Sequence, residues 1–175
     1  DKDSGPPELA GAPLTLVQTF NQIVDRTLPS QRQGMADAPL PWPDNNGYWC
    51  YVDNGCRDSS TTQFVVAGLS AALSLYSTPA FSDVVRLAAI QAAAVRARQA
   101  YARNGTAGDY DSYYGVPAGT YACGNLGDEE GHGYNAGGVN TVQQSASGTW
   151  IQLVGGANLN DADVQRYLKS VVSQR

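Results

Sequence analysis

Residues 61–86 read TTQFVVAGLSAALSLYSTPAFSDVVR, and residues 141–166 read TVQQSASGTWIQLVGGANLNDADVQR. Shifted by 80 residues, the two stretches align without a gap. Thr61, Gln63, Gly68, Leu73, Asp83, Val84 and Arg86 fall on Thr141, Gln143, Gly148, Leu153, Asp163, Val164 and Arg166. That is seven identities in 26 positions, well above chance. Each stretch reads as two helices with a short joint, so the repeated unit is a helical hairpin. Such units cannot bury their apolar faces alone and stack against neighbours, which predicts an all-α architecture.

Working outward, residues 1–7 read as a flexible polar arm and residues 8–175 as a single repeat domain, with repeat units at about 45–103 and 133–173. Apolar residues recur at helical spacing from Glu8 to about Leu28, with Pro13 in the first turn and Pro29 as the stop. After a long loop, Asp58 or Ser59 caps a helix to about Tyr76. Its small residues Ala67, Gly68, Ser70, Ala71, Ala72 and Ser74 predict an inner helix buried on most sides. Ser82 is expected to cap an outer helix reaching Arg103. Val84, Leu87, Ala88, Ala94 and Tyr101 would face inward and Arg86, Arg96, Arg98 and Arg103 would face water. A second long loop leads to an inner helix, Thr141–Val154, and Asn160 or Asp161 caps the last outer helix to about Ser173. About five helices result, and strand signals are weak.

Composition bounds the function. The 175 residues carry a net charge of −5, which makes nucleic acid and anionic membranes poor partners. No apolar stretch reaches the ~20 residues of a membrane span. Charged residues are only 15% of the chain, beside 19 Gly and ten Tyr, a balance that fits a secreted or cell-surface protein. Cys50 and Cys56 stand in a Gly/Asn/Asp loop that can close a small disulfide ring, and Cys123 is left over. Asn104-Gly105-Thr106 matches a glycosylation sequon.

The stretch from Asp58 to Ala72, preceded by Gly47-Tyr48-Trp49, resembles the repeat of the prenyltransferase and squalene-cyclase superfamily, in its bacterial branch of uncertain function. The second copy is similar, with Gly133-Tyr134, Gly137-Gly138, the helix Thr141–Leu153 and the run Asp161–Arg166. The resemblance covers roughly residues 45–173 and implies a partial α/α toroid. A closed toroid of that family needs about a dozen helices, so this chain implies an arc that self-associates or continues into a larger ring.

The family's chemistry is carried over residue by residue. Its cyclases place an Asp-rich acid motif at the start of an inner helix. Here that position reads Arg57-Asp58-Ser59-Ser60, and Asp58 fits a helix cap better than a general acid. The loop carboxylates Asp109, Asp111, Asp128, Glu129 and Glu130 are the remaining catalytic candidates. Its protein prenyltransferases bind zinc, for which Cys50, Cys56, Cys123 and His132 are the only candidates, with spacings unlike those of common zinc modules. The run Gln144–Trp150 fits a cyclase surface motif, but it falls inside an inner helix. No cofactor is expected. The two long loops crowd aromatic residues. Trp42, Tyr48, Trp49, Tyr113, Tyr114 and Tyr134 are candidates for stacking on a glycan or another protein, or for packing the loops onto the helices. The leading expectation is a secreted, non-catalytic structural or interaction module that self-assembles. The alternative is a terpene-cyclase-like or carbohydrate-active enzyme using the loop carboxylates.

Overall fold

The computed structural model describes residues 15–32, 46–51, 58–105, 130–134 and 140–173. Among them lie five α-helices and no strand, with an isolated antiparallel bridge between Gly133 and Asn140. The helices are α1 (Leu16–Thr27), α2 (Ser59–Tyr76), α3 (Val84–Arg103), α4 (Val142–Val154) and α5 (Ala162–Ser173). None is long and apolar enough to cross a membrane. The N-terminal arm and Pro13 lie outside the described residues.

Short polar side chains start the helices by satisfying otherwise orphaned backbone N–H groups. Thr15 and Gln18 form a reciprocal capping box at α1. The Asp58 carboxylate accepts from the N–H groups of Ser60 and Thr61 at 2.8 and 3.1 Å, which makes it the cap of α2. Asp83, rather than Ser82, caps α3 by accepting from the Arg86 N–H at 3.0 Å. Thr141 caps α4. The Asp161 carbonyl accepts the first backbone bond of α5, while its carboxylate accepts from Asn158 and Arg98.

Three contacts set the helix directions. The Tyr101 hydroxyl, near the end of α3, donates to the Ser59 carbonyl at the start of α2, so α2 and α3 are antiparallel. Gly148 of α4 lies against Tyr101, and Gly155 just past α4 lies against Ala94 and Arg98, so α3 and α4 are antiparallel too. Hence α2 and α4 run parallel. Ser147 of α4 donates to the amide oxygen of Gln63, joining them side by side. The core lies on one flank of this pair, where Val66, Leu69 and Ala72 of α2 and Ile151 of α4 meet Ile90, Ala93, Ala97 and Tyr101 of α3.

Two expectations about faces are corrected. α2 is not buried on most sides: Phe64 is 68% exposed, and Ala67, Gly68, Ala71 and Ser74 share its open side. On α3 the inward face is Ile90, Ala93, Ala94, Ala97, Ala100 and Tyr101, whereas Val84 is 72% exposed and Ala88 is open. The four arginines read as a wet face are instead drawn into contacts, Arg103 by donating to the Asn46 carbonyl at 3.1 Å. Arg86 makes a two-pronged bond to Asp25 of α1 (2.9 and 2.6 Å) and a further one to Asp83 at 2.6 Å. Arg96 donates to Gln31, and Arg98 to Asp161. These bonds raise the Arg86 pKa, and the Arg86 backbone N–H followed by its guanidinium lowers that of Asp83.

The two copies agree in part at α3 and α5 and diverge at α2 and α4. Asp83–Arg86 recurs as Asp163–Arg166, and each arginine also reaches an acid outside its helix, Asp25 and Glu130 respectively. Gly68 and Gly148, aligned by sequence, differ. A methyl on Gly68 would meet nothing within 4 Å, whereas one on Gly148 would overlap the Tyr167 ring.

Candidate functional site

The one histidine sits at the centre of the structure. Segment 46–51 carries Tyr48 and Trp49 under the helices, and segment 130–134 carries His132. Gly47 makes the first approach possible. It adopts φ +93°, and any side chain there would strike the Arg96 carbonyl. Buried Gln31 holds the segment by donating to the carbonyls of Gly47 and Ala93 at 3.0 and 2.9 Å. Gly131 serves the second approach, since a methyl there would meet the hydroxyls of Ser145 and Ser170.

His132 is fully buried. Its Nδ1–H donates to the Gly133 carbonyl at 2.7 Å, which leaves Nε2 to accept from the Tyr48 hydroxyl at 2.6 Å. The Tyr48 hydroxyl also lies 3.2 Å from the Ala100 carbonyl, so two acceptors compete for its single proton. The Tyr101 ring stacks on the imidazole at 4.1 Å and on the Tyr48 ring at 5.5 Å. Tyr167 closes the cluster by donating to the Tyr101 carbonyl at 2.8 Å. Burial pushes the His132 pKa down to about 4 and the Tyr101 and Tyr167 hydroxyls well above their ordinary value. The imidazole is therefore neutral, with both ring nitrogens occupied. The cluster joins two loops to α2, α3 and α5, and it presents no ring nitrogen to solvent.

Of the residues singled out by sequence, the structure brings Tyr48 and His132 together. Tyr48 and Trp49 are buried, with the Trp49 indole N–H donating to the Thr27 carbonyl at 2.9 Å, so they pack a loop into the core rather than face a ligand. Tyr134 is exposed, with its carbonyl accepting from the Ser59 N–H at the start of α2. Glu130 is engaged by Arg166 at 3.4 Å. Trp42, Tyr113, Tyr114, Asp109, Asp111, Asp128, Glu129, Cys56 and Cys123 lie outside the described residues. Cys50 is disulfide-bonded, and neither sequence partner lies within the described residues. No group of metal-ligating side chains occurs among the described residues. The sequon asparagine, Asn104, is buried, and its amide nitrogen donates to the Ala100 carbonyl at 2.9 Å, ending α3. A glycan on that nitrogen is incompatible with this fold. Gln144–Trp150 lies within α4.

The open surface lies elsewhere. α2 and α4 contain no charged residue. Both leave uncovered the flank turned away from α3: Phe64, Ala67, Gly68 and Ala71 on α2, with Gln143 and Ala146 on α4. The charged residues of the described helices all sit on α1, α3 and α5. Sequence reasoning missed this face because it assigned the small residues of α2 to close packing. The absence of any charge over 18 consecutive residues is the signal that marks it. No family model, curated protein or solved structure matches the chain.

Proposed function

We propose that this chain is a secreted or cell-surface, non-catalytic structural or interaction module that self-associates or forms part of a larger ring of α/α repeats resembling those of the prenyltransferase and squalene-cyclase superfamily. The observation that carries the reading is the uncharged flank of α2 and α4. An exposed helix face without a charged residue is uncommon on a lone soluble molecule and favours contact with something else. Two further features support it. The Tyr48–His132 cluster is closed and neutral, which suits a keystone of the fold better than a proton-transfer centre. The disulfide at Cys50 suits an oxidising compartment.

Light scattering on a size-exclusion column, over a concentration series with and without reductant, tests the proposal. The expected result is a mass that rises with concentration. Loss of that rise on reduction would assign the contact to a cysteine between chains. A constant monomer mass under all conditions would overturn the proposal.

A further inference from the structure

We draw no further inference here: the strongest candidate, the uncharged open flank of α2 and α4, is an unpartnered helix face, and nothing in the structure shows what covers it.

Discussion

Gly68 and Gly148 occupy the same place in the sequence repeat, yet replacing each with alanine should change stability in opposite directions. Gly68 lies mid-helix on the open side of α2, where an added methyl group would have nothing within 4 Å. There, alanine removes only the entropic cost of glycine, a gain of about 0.8–1 kcal/mol. Gly148 lies mid-helix on the covered side of α4. A methyl there would overlap Tyr167 Cε1 and sit 2.8 Å from its Cδ1 and 3.0 Å from Tyr101 Cδ1. Neither ring can move aside freely, because both are fully buried and the Tyr167 hydroxyl is bonded to the Tyr101 carbonyl. Overpacking of this kind costs about 1–3 kcal/mol or more, and the helix gain offsets only part of it, so a net loss of about 2 kcal/mol is expected. For a chain of this size each kcal/mol moves the melting temperature by about 2–4 °C, so thermal melts at low micromolar protein should place Gly68→Ala about 3 °C above the wild type and Gly148→Ala about 6 °C below it. A neutral or stabilising Gly148→Ala would refute the packing of α4 against Tyr101 and Tyr167.

Three further outcomes follow from the buried cluster and the inner helix. The folded chain holds His132 neutral until about pH 4, whereas the unfolded chain takes up its proton near 6.5. Above 6.5 the titration of His132 has no effect on stability; between 6.5 and about 4 keeping it neutral costs progressively more, reaching about 3 kcal/mol. Urea midpoints at several pH values should therefore fall faster for the wild type than for His132→Gln, and equal slopes would contradict the burial. Tyr48→Phe removes the proton donor to His132 Nε2. It should cost about 1–3 kcal/mol by urea titration, and an unchanged midpoint would mean the bond contributes nothing. Gln152 of α4 is fully buried, and neither of its amide atoms has a hydrogen-bond partner among the described residues. Gln152→Met, of similar volume, should stabilise by about 1 kcal/mol, and a loss of that size would show that the amide is engaged.

How much of this was legible depended on whether the deciding interaction was local. Helix starts were legible to within a residue, because a cap acts within three residues. The sequence allows Asp58 or Ser59 at the start of α2, where the cap is Asp58; it places Thr141 at the start of α4; and the cap of α3 is Asp83 rather than the neighbouring Ser82. The orientation of α3 was not. Apolar residues run around the whole helix, with Val84, Ala88 and Val95 on one side and Ile90, Ala93 and Ala97 on the other. Periodicity cannot choose between two such stripes. The choice is made by partners distant in sequence, such as Asp25 and Asp161, which draw Arg86 and Arg98 to the flanks. The role of His132 was hidden for the same reason. Its partners Tyr48 and Tyr101 lie far away in the chain, and the only nearby signal was the glycine on either side, which lets a bulky ring be carried into the core.

The pattern of retained identities in the repeat separates two kinds of constraint. At α3 and α5 the shared arginine keeps a similar task, since Arg86 and Arg166 each tie the N-terminal part of their helix to an acid on another segment. At the inner helices the shared Gly lost its equivalence. The buried side of α4 takes in Thr149 and Gln152, which align with buried Leu69 and Ala72 of α2, and it extends further to Ser145 and Gly148, which align with Val65 and Gly68. The covered arc of α4 is therefore the wider one, and it places Gly148 under Tyr167 while Gly68 stays on the open flank. What the two inner helices still share is the lack of charge. Their covered flanks need this for the core. Their open flanks do not need it for folding, since charged side chains are well tolerated in water. A surface that stays uncharged without a folding reason is best explained by a contact that charge would disrupt, and that argument, more than the aromatic loops, makes α2 and α4 the face to test.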